Sequence, residues 1–259
     1  MSAGVTAASP RTSELFGVRL VASDVAAATG LVLGRARSGE GGYCCFANVH
    51  VLTMSRRSGP VRAALGDAWT VFPDGFPVAW MMRRLGSATS RVAGPDVMAS
   101  VIAAGRRDGL RHFLLGSTPD VLAKLQLVLA TRFGEGLVCG AVSPPFGEVD
   151  HTEEEALVAA VRRADADLVW CGLGAPRQEL WMRRWAPALA PAVVLGVGAA
   201  FDFLAGTKRR APRWMQDAGL EWAHRMLSEP RRLGPRYLRT NTQFVARATV
   251  ELAAHRRGR

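Results

Sequence analysis

The 259-residue chain lacks any run of 18 consecutive apolar residues, which argues against a membrane-spanning helix. Its first residues, Met1 to Pro10, have neither the basic stretch nor the apolar core of a secretory leader. They read as a frayed tail, taken to cover residues 1–14. Metal-ligand spacings are missing too. The four cysteines, Cys44, Cys45, Cys139 and Cys171, lie inside apolar, strand-like runs, with no CxxC pair and no histidine-rich spacing. They read as reduced, buried thiols of a cytosolic protein, with Cys44 and Cys45 pointing to opposite faces of one strand. A GxGxxG fingerprint and a Walker loop are also absent, so neither a dinucleotide nor ATP is indicated. No metal and no cofactor is expected.

Acidic residues are the other shortage. Twenty-two Asp and Glu stand against 33 Lys and Arg, a net charge of +11. The imbalance is local, because residues 207–259 hold 13 Lys and Arg against 4 Asp and Glu. That segment therefore carries nine of the eleven net charges. An Arg-rich solvated helix face explains such a stretch, and so does an anionic partner: phosphate, an acidic membrane surface or nucleic acid. Near anionic lipid each Lys or Arg contributes about 1 kcal/mol. Few aromatics interleave with these arginines to stack bases, which weighs against nucleic acid.

What is present is a composition of 49% hydrophobic and 21% charged residues, that of a packed globular chain. From about residue 43 to 200, short apolar runs alternate with helical patterns. Strands are expected over Tyr43–Val49, Ala68–Phe72, His112–Gly116, Leu137–Val142, Leu168–Gly172 and Ala192–Gly198. They are continuous rather than alternating, as in parallel strands covered on both faces. Helices are expected over Val78–Leu85, Asp96–Arg107, Pro119–Phe133, Glu153–Ala164 and Arg177–Trp185, with starts marked by Ser117-Thr118-Pro119 and by Thr152. This alternation predicts an α/β fold with a Rossmann-like, doubly wound, mainly parallel sheet over residues 15–205. After Gly206 the strand signal stops. Pro212, Glu221–Leu227, Pro230 and a long helix from about Leu233 mark residues 206–259 as a basic helical appendage, expected from its charge to associate with membrane.

In doubly wound folds ligands bind beyond the carboxyl ends of the strands. Asn48 and His50 follow the first strand there, and Pro73-Asp74-Gly75 follows the second. Asp74 is either a turn residue or a functional carboxylate, since Pro-Asp-Gly favours turns by itself. Gly116 and Ser117 precede a helix start that offers free backbone N–H groups to phosphate. The sharper segment is Gly172-Leu173-Gly174-Ala175-Pro176-Arg177-Gln178-Glu179. Its glycines permit close backbone approach, and Arg177 and Gln178 offer donors to phosphate or nucleobase. Gly198 and Asp202 lie where a further ligand edge approaches. Together these ends describe a small-molecule cleft without naming the ligand.

The order of segments resembles the WecG/TagA/CpsF glycosyltransferase family. The matching pieces are Phe46–His50, Asp74–Trp80, Arg91–Asp96, Phe113–Ser117, Ser143–Gly147, Gly172–Trp181 and Gly196–Gly206. They continue with Arg210–Pro212, Gly219–Trp222 and Glu229–Leu233. The resemblance implies inverting, metal-independent transfer of an N-acetylmannosamine-type or related sugar from a UDP donor. The acceptor it implies is an undecaprenyl-diphosphate-linked saccharide used for teichoic acid, common antigen or capsule. It further implies an enzyme peripheral to the inner face of the cell membrane, and leaves a homo-oligomer open. By the same resemblance Asp74 matches the general base and Asn48 a sugar-orienting neighbour. Gln178 matches a residue touching sugar or nucleotide. Arg225 and Arg232 match arginines aimed at a diphosphate, and Arg236 lies beside the family's third basic position, which is Pro235 here. A threonine common two residues before the asparagine is replaced by Phe46. The competing reading is a non-catalytic nucleotide- or nucleic-acid-binding Rossmann-like module with a basic tail.

Overall fold

The structure, a computed structural model, describes residues 11–145, 147 and 150–257, without the side chains of Arg232 and Arg236. A hairpin of β1 (Thr12–Leu15) and β2 (Val18–Val21) precedes helix α1 (Val25–Ser38). Next come β3 (Gly42–Ala47), α2 (Val49–Ser55), α3 (Gly59–Gly66), β4 (Thr70–Pro73), α4 (Phe76–Arg84) and α5 (Gly94–Gly105). The chain continues through β5 (His112–Gly116), α6 (Pro119–Phe133), β6 (Val138–Val142), α7 (His151–Arg163) and β7 (Leu168–Gly172). Then follow α8 (Arg177–Trp185), β8 (Val193–Gly196), α9 (Ala200–Leu204), α10 (Arg213–Asp217), α11 (Glu221–Ser228) and α12 (Pro230–Arg257).

Strands β3 to β8 form one six-stranded sheet in the order β4-β3-β8-β7-β5-β6, every pair parallel. Side chains along each strand alternate between two apolar layers. Cys45, Val71, Leu115, Val169 and Val194 join one layer, packed against α2, α4, α7 and α8. Cys44, Phe72, Leu114, Trp170 and Leu195 join the other, against α1, α5 and α6. Cys44 and Cys45 do point to opposite faces, and both are fully buried. Covering the sheet on both sides is what the continuous apolar runs require, and the α/β, Rossmann-like class expected from them is the one observed.

Several boundaries differ from expectation, each for a local reason. Residues 1–10 of the expected tail lie outside the described residues, but Thr12–Leu15 within it pairs antiparallel with Val18–Val21. Leu15 and Leu20 bury completely against the sheet, and that apolar contact holds the hairpin. The first core strand stops at Ala47 instead of Val49 because the Asn48 side chain caps α2, accepting from the N–H groups of His50 and Val51 at 3.0 and 3.1 Å. Helix α7 is capped not by Thr152 but by Asp150, in a reciprocal capping box with Glu153. The last helix begins at Pro230, with Pro235 tolerated inside it.

The C-terminal segment is helical as expected, yet it does not stand apart. Phe244 and Ala248 of α12 lie in the same apolar layer as Cys45 and Leu52, and the Phe244 ring meets Phe16 of the hairpin at 5.2 Å. No helix among the described residues is long and apolar enough to cross a membrane.

Candidate active site

All six core strands run parallel, so their carboxyl ends open on one edge. There a cleft of about 730 Å³ is walled by Asn48, Asp74, Ser117, Gly172, Gly198 and Arg225, among others. Strand register explains the first two. Phe46 pairs with Phe72 and Ala47 with Pro73, so the next residues, Asn48 and Asp74, emerge side by side. The Asp74 N–H donates to the Ala47 carbonyl at 3.1 Å, fixing the turn. Because the Asn48 oxygen is held by two helix N–H groups, its amide nitrogen is left to donate to the Asp74 carboxyl.

Asp74 is partly open to the cleft but walled by protein on its other sides. That burial, and next the negative Glu221 nearby, push its carboxyl up to about 6. Arg91, Arg225 and the Asn48 hydrogen bond work in the opposite direction. A carboxyl at that value is mostly ionised at neutral pH and holds a proton more readily than an ordinary aspartate.

Arg91 was not singled out from sequence. The Val92 N–H donates to the Pro73 carbonyl at 2.9 Å, so the segment Arg91–Ala93 runs alongside the end of β4 and brings Arg91 to Asp74. Its guanidinium reaches Glu221 at 2.5 Å, Gln216 at 2.7 Å and Asp96 at 3.3 Å. The one sequence signal was its place at the head of Arg91-Val92-Ala93-Gly94-Pro95-Asp96.

On the opposite wall Gln178 is 4% exposed, and both ends of its amide are engaged by protein. Its oxygen accepts from Gly174 and Gly198 N–H at 3.2 and 3.1 Å. Its nitrogen donates to the Gly196 carbonyl at 3.1 Å and to Glu179 at 2.9 Å. Gln178 thus staples the loops after β7 and β8 together. Glu179 is fully buried, and burial raises its carboxyl. It supports Gln178 from behind and does not line the cleft.

Gly116 also stands behind the wall, at φ 122°, where a Cβ would lie 2.6 Å from the Gly172 backbone. It permits the close approach of β5 and β7. Ser117, next to it, holds φ 63° with a side chain present, a strained conformation at the cleft edge. Arg177, Gly172, Gly174, Gly198 and Asp202 all line the cleft. Asp202 is 3.9 Å from the Lys208 ammonium, and the Arg225 guanidinium lies over the Phe203 ring at 5.6 Å. Phe46 lines the cleft floor and packs on Phe72 at 5.6 Å. The side chains of Arg232 and Arg236 lie outside the described residues. Among the described residues no three His, Cys, Asp or Glu side chains converge as a metal-ligand set.

A carboxylate and several guanidinium groups gather at the carboxyl edge of a parallel sheet, the place where α/β folds bind ligands. The sequence matches the Glycosyl transferase WecG/TagA/CpsF family over residues 13–258, and the chain belongs to that family.

Proposed function

We propose that the protein is an inverting hexosyltransferase, moving an N-acetylmannosamine-type or related sugar from a UDP donor to an undecaprenyl-diphosphate-linked saccharide. The observation that carries this reading is the placement of Asp74 beside Asn48 at the carboxyl ends of β3 and β4, in a cleft also lined by Arg177 and Arg225. An acceptor hydroxyl attacks C1 of the donor sugar and passes its proton to Asp74, while the bond from C1 to the UDP oxygen breaks. UDP leaves as an anion, so it needs positive charge and not a proton, which is why one carboxylate suffices. Guanidinium groups suit diphosphate oxygens, and their attraction strengthens as the closed cleft excludes water. Arg225 is the cleft arginine suited to this role, with Arg232 and Arg236 as further candidates on α12.

The product class is a cell-surface polysaccharide or teichoic acid precursor, made at the inner face of the membrane. Support for membrane association comes from the charge of residues 207–259 and from exposed Trp214, Leu227 and Leu238 on the same segment. The test is transfer from a panel of UDP-sugars to a lipid-diphosphate-linked acceptor, with wild type and Asp74→Asn. Loss of transfer by about 100- to 10,000-fold in the variant is expected for a general base. Near-wild-type turnover by Asp74→Asn removes Asp74 from that role, and no turnover of any UDP donor by wild type removes the donor class.

A further inference from the structure

Beside Asp74 the C-terminal segment is tied to the body by a ring of four half-buried charges. Glu221 of α11 accepts from Arg91 at 2.5 Å and from Arg210 at 3.4 Å. Asp96 of α5 accepts from Arg210 at 2.5 and 2.8 Å and from Arg91 at 3.3 Å. Arg91 and Asp96 belong to the body, whereas Arg210 and Glu221 come from the segment after the last strand. Signs alternate around the ring, so it is neutral overall, and its side chains are 18–32% exposed. Two residues before Glu221, Gly219 lies so close to Phe76 that a Cβ there would be 2.5 Å from the aromatic ring. The segment therefore seats on both sides of Asp74, on Phe76 just after it in sequence and on Arg91 beside it.

The ring also decides what Arg91 does. A guanidinium free to swing onto Asp74 would form a salt bridge and make that carboxylate a poorer base. Here the terminal nitrogens of Arg91 are taken by Glu221, Asp96 and Gln216. We propose that Glu221 is a positioning residue: it docks the C-terminal segment on Arg91 of the body, holds Arg210 of its own segment toward Asp96, and sets the charge that Asp74 faces. This rests on reading Asp74 as the base.

The groups facing Asp74 come from three elements. Asn48 sits at the start of α2, Arg91 on the segment before α5, and Glu221 and Arg225 on α11. His50, Arg177, Asp202, Lys208 and Arg210 line the same cleft. Among the groups acting on Asp74, Glu221 is the carboxylate that strengthens the base, and Arg91 and Arg225 weaken it. Without Glu221, the negative neighbour is lost and one terminal nitrogen of Arg91 is released while the other stays on Asp96 and Gln216, and both changes lower the affinity of Asp74 for a proton.

The experiment uses full-length protein with carbon-13-labelled aspartate, in wild type, Glu221→Gln, Glu221→Asp and Arg210→Gln. Asp74→Asn identifies the resonance of interest. The Asp74 carboxyl is expected to titrate near 6 in wild type, at clearly lower pH in Glu221→Gln, and close to wild type in Glu221→Asp. Amide hydrogen exchange across α10 and α11 is expected to quicken about tenfold in both Glu221→Gln and Arg210→Gln, as docking loosens. An unmoved Asp74 midpoint in Glu221→Gln overturns the proposal, as does unchanged exchange in both variants. Titration and exchange need no turnover, so their outcome is separate from whether Asp74→Asn abolishes transfer.

Discussion

The Gln178 side-chain oxygen accepts the backbone N–H of Gly198 at 3.1 Å, across the ends of two neighbouring strands. The same oxygen holds Gly174, and the amide nitrogen is spent on Gly196 and Glu179. Substituting Gln178 therefore acts on the cleft wall before it acts on any ligand. Gln178→Ala leaves several buried polar groups without partners, each worth about 1–3 kcal/mol. A net loss of about 3 kcal/mol in urea unfolding is expected, with weaker donor binding by calorimetry. Gln178→Glu is expected to be worse, because it cannot donate to Gly196 and sets a second carboxyl against Glu179. Full stability in either variant contradicts the staple.

Asp74 links activity and stability with opposite signs. In the proposed mechanism the base must be ionised, so kcat/KM is expected to fall as pH drops through about 6. Its folded value lies above the usual 3.8, so the folded state holds the proton more tightly than the unfolded chain does. That contribution is fully present below 3.8 and is lost as pH rises through about 6. At pH 7 the ionised carboxylate destabilises the fold, by about 2 kcal/mol once the cleft's access to water is allowed for. Asp74→Asn is expected to be inactive and more stable than wild type at pH 7, with the stability gain shrinking at pH 4. Denaturant titrations at the two pH values read this directly.

The sheet was legible from sequence because burial on both faces leaves continuous apolar runs, and such runs need no long-range information. All six core strands overlap the expected ones, and errors sit at ends where a single side chain decides, as Asn48 does for α2. The cleft's location and most of its residues followed from the ends of the parallel strands, whereas Arg225 and the roles of Asp74, Asn48 and Gln178 came from the family resemblance. What stayed hidden were pairings between distant positions. Arg91 and Glu221 are 130 residues apart, and Arg210 and Asp96 are 114 apart. No local pattern marks such partners. Gln178 illustrates another limit: its residue type suggested a ligand donor, and only the fold shows its amide occupied by protein. The hairpin Thr12–Val21 was missed because its four-residue strands are too short to carry a period.

Gly116 and Gly172 are opposed in register at the ends of β5 and β7; a Cβ on Gly116 would strike the Gly172 backbone, and one on Gly172 would press on the Phe201 ring at 3.0 Å. Gly116→Ala adds both a backbone clash at 2.6 Å and a φ of 122° that residues with a Cβ avoid. A loss of about 3 kcal/mol or more is expected, combining overpacking with backbone strain. By contrast, Gly17, with φ 77° but nothing within 4 Å of its Cβ position, carries strain alone. Gly17→Ala is expected to cost about 1 kcal/mol. Thermal unfolding of the two variants separates clash from strain.

Membrane association, if it follows the proposed function, draws on two forces that can be separated. The first is charge: 13 Lys and Arg over residues 207–259. The second is apolar surface on the same helices, where Trp214 is 65% exposed and Leu227 76% exposed. Removing the segment is a poor test, because Phe244 and Ala248 of α12 belong to the core and their loss uncovers apolar surface around α2 and Phe16. Point variants avoid that damage. Trp214→Ala combined with Leu227→Ala is expected to reduce partitioning onto anionic vesicles by about tenfold or more, since burying one such side chain is worth about 1.5–3 kcal/mol. Raising salt from 0.1 to 1 M shortens the screening length from about 10 to about 3 Å and is expected to release much of the wild-type protein. The two effects should add, because one leaves the charges and the other the apolar contacts intact. Partitioning that responds to neither salt nor the double substitution rules this surface out as the membrane contact.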